Sequence, residues 1–181
     1  MRARVFGAVR EGLEAGDPRA LTIDEVARRS GVHKATIYRR WLSTAGLVAD
    51  LLVALTPVET PLPDTGDLRR DLLDVVTRVV ETIASPLSQA MLPLVTAGAD
   101  DELTRAAAGY WASLFDHTAT VVRRAQERGQ ATTDVDAVQA IESLLAPIYL
   151  RALVTRQPVD APFVERLADL TLRALHPHTR R

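Results

Sequence analysis

Leu21–Leu47, LTIDEVARRSGVHKATIYRRWLSTAGL, is the stretch on which the reading of this 181-residue chain turns. Thr22 is followed three residues later by Glu25, a capping box in which each side chain satisfies a free backbone donor of the other, so a helix starts here. Ile23, Val26 and Ala27 then recur at i, i+3 and i+4, a stripe too short to hold unless it packs on neighbouring helices. Gly31 suits the left-handed position just past a helix end, which makes Ser30-Gly31-Val32 the turn. A second helix is expected from near His33 to about Arg40. At about 100° per residue, Ile37 and Trp41 fall together on its buried side. Arg39 lies almost opposite, flanked by Ala35 and Thr36, so one outward face carries a cation, a hydroxyl and a small apolar group, a combination suited to base edges. Tyr38 and Arg40 sit on the flanks, within reach of phosphates. Helical geometry puts Lys34 nearer the buried side, below Arg39 in expected importance. Two short helices, a tight turn and cations on the second are the layout of a helix-turn-helix, a device for reading the DNA major groove.

The charge distribution agrees. The net charge of -1 conceals nine Lys or Arg against five Asp or Glu in residues 1–41, and thirteen against eighteen in residues 42–181. A modestly basic end on an otherwise acidic chain fits local phosphate attraction rather than general polyanion binding. The chain has no Cys, which excludes disulfide frameworks, thiolate nucleophiles and zinc-thiolate sites. Hydrophobic residues make up 47%, and no apolar run approaches the 18 or so residues expected of a membrane span. The opening MRARVFGAVREG is broken by charge before an apolar signal core forms, so the expectation is a cytoplasmic protein with no membrane partner.

Beyond the motif the pattern stays helical. Ser43 is placed to cap a helix through Leu55, and the segment 57–66, with three Pro, reads as a connection. The expected domains are therefore 1–55 and 56–181. Asp67 caps a helix whose apolar face is Leu68, Leu72, Val75, Val76, Val79, Val80 and Ile83. A helix over about 87–97 follows. The acidic turn Asp100-Asp101-Glu102 then opens a long helix to about Arg128, stopped by Gly129. Two more helices span about 134–154 and 162–175. No alternating strand pattern competes, so the fold class is all-α.

With Thr22 to Ala27, Gly31-Val32, Ile37-Tyr38, Trp41 and Leu47 in view, the segment resembles the DNA-binding domain of TetR/AcrR transcriptional regulators. About the first 55 residues fit, including an upstream helix carrying Val5, Ala8, Val9 and Leu13 and closed by Gly16. The resemblance implies base or phosphate contacts for His33, Lys34, Ala35 and Thr36, backbone or groove contacts for Tyr38 and Arg39, and a phosphate contact for Thr22. Relatives commonly carry Pro and then Lys shortly after the aromatic residue, where this chain has Leu42 and Thr44, so one phosphate clamp is absent or reduced to a hydroxyl. The resemblance further implies a C-terminal helical domain that binds a small-molecule effector and dimerises, with no cofactor. Met91 and Val95 with Trp111, Phe115, Thr118 and Val122 are the expected pocket lining. The last four recur at i, i+4, i+7 and i+11, a spacing that an ordinary core shares. Ile141, Leu145 and Ile148 with Phe163, Leu167 and Leu170 are the expected dimer interface, the alternative being burial within one chain.

The expected function is a ligand-responsive transcriptional regulator, a repressor, bound as a homodimer to a palindromic double-stranded operator. The alternative is a helical protein-interaction module with a vestigial helix-turn-helix, for which Thr44 is the hint. Catalysis is not expected. Ser113, Asp116 and His117 suggest a relay only superficially, since residues 113 and 117 mark a polar stripe on one helix and no nucleophile turn is visible. His176 and His178 do not make a closed metal site, and His33 reads as a polar residue at a helix start.

Overall fold

The computed structural model of the protein describes residues 1–15, 21–55, 60–96 and 101–176, with the backbone alone for 92–96. All regular structure among them is helical: α1 (Arg2–Ala15), α2 (Ile23–Ser30), α3 (Lys34–Arg40), α4 (Thr44–Ala54), α5 (Leu68–Ala84), α6 (Pro86–Thr96), α7 (Asp101–Glu127), α8 (Ala137–Tyr149) continued by a π-helical turn (Leu150–Thr155), and α9 (Ala161–Leu175). The chain divides into two compact units, one of residues 1–56 and 84–111, the other of 57–83 and 112–181.

The core of the first unit is built on the stripe expected for the motif. Val5, Val9 and Leu13 of α1 meet Ile23 and Val26 of α2, Ile37 of α3 and Leu47 and Leu51 of α4, with Met91, Leu103 and Ala107 completing the cluster. Short helices of seven to eleven residues are marginal alone and depend on this shared burial. Asp50 adds a polar tie: it accepts from the Trp41 indole Nε1 at 2.9 Å and from Arg2 at 2.8 Å. The end of α3 is thereby fixed to α4 and to the start of α1.

In the second unit, Leu72 and Val76 of α5, Val121, Val122 and Ala125 of α7, Ile141, Leu144, Leu145 and Ile148 of α8, and Ala168 and Leu175 of α9 are buried. Residues 60–66, expected to be a mere connection, are held in place. Asp64 pairs with Arg128 at 2.7 Å and Arg124 at 3.7 Å, and Arg78 donates to the Pro61 carbonyl at 2.7 Å. The Asp71 carboxylate, 1% exposed, accepts from the Thr65 backbone N–H at 3.0 Å and hydroxyl at 2.7 Å. A buried carboxylate needs such donors. The apolar stripe of α5 thus has one buried acid beside it, which no hydrophobic periodicity points to.

α8 starts later than its apolar pattern suggests. Gln126 donates to the carbonyls of Thr132 and Val135, which shapes 132–135 as a turn, and Asp136 then caps the helix by accepting from Gln139 N–H. Pro147 lies inside α8, where it lacks an N–H, and the helix widens into a π turn at Leu150. Together residues 137–155 are long and apolar enough by composition to cross a membrane, contrary to the expectation that no run approaches that length. Four large apolar side chains of this helix, however, are fully buried within the subunit.

Candidate nucleic-acid interface

The helix-turn-helix is set by local chemistry. The Thr22 hydroxyl accepts from Glu25 N–H at 3.2 Å and opens α2, and Gly31 ends it at φ 64°, with its N–H bonded to the Ala27 carbonyl. A side chain there would be strained. Ser30 accepts from Val32 N–H at 3.2 Å, tightening the turn. The expected capping box is only half formed. The Glu25 carboxylate is turned the other way, accepting from Arg28 at 2.6 and 2.9 Å and from Arg29 at 2.6 Å, because two guanidiniums one turn on offer stronger, charge-assisted bonds than one backbone N–H. Hydrogen bonds from Arg28 and then Arg29 lower the Glu25 carboxyl from an ordinary 4.5 to about 2.

Because the folded-state pKa is depressed, the stabilisation is complete above pH about 4.5 and is lost as the pH falls through about 2. The gap in melting temperature between the protein and Glu25→Gln is therefore expected to be constant from pH 5 upward and to close between about 4.5 and 2, remaining small throughout because the pair is solvent-screened. A gap of equal size at pH 2 and pH 7 would assign the stabilisation to something other than ionised Glu25.

α3 presents its outer surface as the sequence pattern requires. Ile37 is fully buried and Trp41 5% exposed, while His33, Lys34, Ala35, Tyr38, Arg39 and Arg40 are exposed and Thr36 is half-buried. His33 precedes the helix without spending its imidazole on a cap. Arg40 lies over the Trp41 ring at 5.2 Å, which holds it to the flank. Among the described residues no carboxylate pairs with Arg39. Lys34 corrects the helical-wheel reading: it is exposed rather than turned to the core. As the first residue of α3 its side chain escapes the packed face and reaches Asp24 in the first turn of α2, Nζ to Oδ1 2.5 Å. That bond raises the ammonium pKa. The Thr22 hydroxyl, although it accepts at the cap, keeps its own proton for an incoming oxygen.

Leu42 and Thr44 occupy the places of the Pro and Lys that the resemblance implies. Leu42 is 89% exposed, and Thr44 is the half-buried first residue of α4, next to the cap formed by Ser43 Oγ on Gly46 N–H at 3.0 Å. Two neighbours of this region escape a reading of the sequence. One is Asp50. The other is Glu102, whose carboxylate lies so close to Gly46 that a Cβ there would meet it at 2.8 Å and make this flexible side chain shift.

The expected effector-pocket residues divide between the two units. Met91 belongs to the core of the first unit and Trp111 packs at its edge. Thr118 and Val122 are buried in the second unit, with the Thr118 hydroxyl donating to the Leu114 carbonyl at 2.7 Å. Phe115 is half-buried, and Val95 lies outside the described side chains. The expected dimer interface also separates. Ile141, Leu145 and Ile148 are 0% exposed within the single chain, where they are core. Phe163 and Leu167 are half-buried, and Leu170 is 56% exposed. Leu167 and Leu170 border an open cleft of about 590 Å³ along α8 and α9, with Gln139, Ser143 and Pro147 on its other side. Phe163 is instead covered by the Arg151 guanidinium, 3.7 Å above its ring. The polar groups that suggest a relay have other partners: Asp116 pairs with Arg123 at 2.6 Å, and His117 Nε2 bonds the Thr60 carbonyl at 2.9 Å. His178 lies outside the described residues.

Two family models match the chain, the tetR family of bacterial regulatory proteins over residues 8–51 and the tetracyclin repressor-like C-terminal domain over residues 62–171. The chain belongs to the TetR family. A DNA-binding transcriptional repressor TetR of Mycobacteroides abscessus is 32% identical over 161 residues, 85% of this chain and 82% of the relative. The HTH-type transcriptional regulator AqdR of Rhodococcus erythropolis is 29% identical over 141 residues, 76% of this chain and 68% of the relative. The crystal structure of the TetR family transcription regulator SCO0332 matches with a TM-score of 0.74 and 34% identity, covering 97% of this chain and 98% of that one. This TetR-family protein is accordingly a transcriptional regulator with a DNA-binding helix-turn-helix, and its family and relatives are regulators rather than enzymes.

Proposed function

We propose that the protein is a cytoplasmic, effector-responsive repressor that binds a palindromic operator as a homodimer. Residues 1–55 form the reading head and 56–181 the effector and pairing domain. The observation that carries this reading is the exposed face of α3, where Arg39 projects without a carboxylate partner among the described residues, opposite buried Ile37 and Trp41. In this docking Ala35, Thr36 and Arg39 face base edges, while Thr22, His33, Lys34, Tyr38 and Arg40 reach the backbone. The repressor assignment is supported by the name of the 32% identical relative. Pairing is supported by the large apolar side chains left uncovered on the π turn and α9, namely Leu150, Val154 and Leu170 at 52, 71 and 56% exposure, since exposed apolar surface favours a partner. Two heads related by a two-fold axis would meet half-sites centred about 34–36 Å apart or a multiple of it. The effector acts through the C-terminal domain.

Selection of bound duplexes from random DNA, followed by titration of the recovered site, tests the reading. Arg39→Ala is expected to weaken binding to that site by about 1 to 3 kcal/mol, or about 5- to 150-fold, with the melting temperature and oligomeric state unchanged. Equal affinity of the variant would remove α3 from the groove in this orientation. Failure to recover any enriched duplex would favour the protein-interaction module, in which exposed Leu42 and the missing cation at Thr44 belong to a surface that no longer meets DNA.

A further inference from the structure

The segment 22–41 carries five cations, Arg28, Arg29, Lys34, Arg39 and Arg40. Three of them are held by acids: Arg28 and Arg29 by Glu25, within one helix, and Lys34 by Asp24, across the turn between α2 and α3. The two sets of pairs differ in kind. The Glu25 pairs lie one turn apart on α2 and brace that helix. The Asp24–Lys34 pair instead joins the first turns of both helices of the motif, beside the Thr22 cap and the exposed His33 and Ala35. A helix N-terminus attracts anions, and Asp24 occupies that position on α2 as a resident carboxylate. It is 67% exposed and its partner 51%, so neither is buried by the fold and both are open to exchange with an arriving phosphate.

Resting on the docking proposed above, we propose that Asp24 sets the DNA affinity of this regulator by holding the Lys34 ammonium, so that a phosphate must displace the carboxylate before Lys34 can neutralise it. The pair is exposed and its two side chains are long enough to part, which makes the exchange feasible on a polyanion but unfavourable against a neutral competitor. The effect is to lower sequence-independent attraction more than base reading, because Lys34 sits at the backbone edge of α3 and Arg39 on its groove face. Asp24 thus acts through Lys34, as a resident competitor of the phosphate.

The experiment measures affinity against salt concentration by fluorescence anisotropy, on the duplex recovered by selection and on a mixed-sequence 24-base-pair duplex. The proteins are wild type, Asp24→Asn, Lys34→Gln and the double variant, each checked for unchanged helicity. Each phosphate neutralised adds about 0.9 to the slope of log affinity against log salt. Asp24→Asn is expected to steepen the slope by up to about 0.9 per subunit on both duplexes and to tighten binding at low salt, with the preferred sequence unchanged. In the Lys34→Gln background the same substitution is expected to produce little or no gain. A gain of equal size in both backgrounds would show that Asp24 acts only as a negative charge near DNA, and weaker binding by Asp24→Asn would show that it orients Lys34 productively; either overturns the proposal. If wild type binds neither duplex the docking itself falls, whereas binding that Asp24→Asn leaves untouched removes this inference alone.

Discussion

Trp41→Ala is expected to cost the reading head about 3 to 5 kcal/mol, the range for emptying a large aromatic side chain from a core. Trp41 is 5% exposed, its ring centroid lies 6.0 Å from that of Phe6, and its indole N–H is bonded to Asp50. Substitution removes the packing and one donor to a carboxylate that also serves Arg2. Since α3 has only seven residues and ends at Trp41, loss of this anchor should melt the recognition helix along with the head. Trp41→Phe divides the two contributions: it keeps most of the volume and forfeits about 1.5 to 3 kcal/mol, the range for a bond to a charged group. Chemical denaturation of both variants, read by circular dichroism, makes the comparison. Equal midpoints for wild type and Trp41→Ala would mean that the head is held by contacts other than those of the indole.

The second large effect separates core from interface. Leu145→Asp places a carboxylate where the native side chain is 0% exposed, a change expected to cost at least about 4 kcal/mol and to leave little folded protein. Leu170→Asp puts the same charge on α9 at a position 56% exposed in the single chain. It should leave thermal stability of the isolated subunit within about 0.5 kcal/mol and shift sedimentation toward the monomer. If Leu170→Asp remains a dimer at micromolar concentration, the pairing surface lies away from this stretch of α9. If Leu145→Asp folds normally, α8 does not bury this face within its own subunit.

That pair of substitutions also shows where the sequence was readable. The apolar spacing of 141, 145 and 148 marks one face of a helix, but a face that packs on its own subunit and a face that packs on a second copy have the same period. Only burial within one chain distinguishes them. The motif was legible because its determinants are local: Thr22 caps α2, Gly31 takes a left-handed φ of 64°, and Ile37 and Trp41 share a side. Lys34 was misplaced because an ideal wheel ignores the freedom of the first residue of a helix, and Glu25 because its i+3 and i+4 guanidiniums outcompete a backbone donor. Asp50 and Glu102 lie 9 and 56 residues from the groups they meet, Trp41 and Gly46, a separation that no periodicity reports. The proposed effector pocket is the least readable element, because apolar lining and apolar core obey one rule.

The π turn at Leu150–Thr155, which follows Pro147 and closes on Arg156 in the left-handed region at φ 50°, has a consequence for the residue that ends it. A π turn is wider than an α-helix and bonds five residues back, so the helix loosens before Arg156 turns the chain, and the Gln157 N–H returns to the Arg151 carbonyl at 3.0 Å. Glycine at 156 would therefore take the same backbone without the strain that a side chain carries at positive φ.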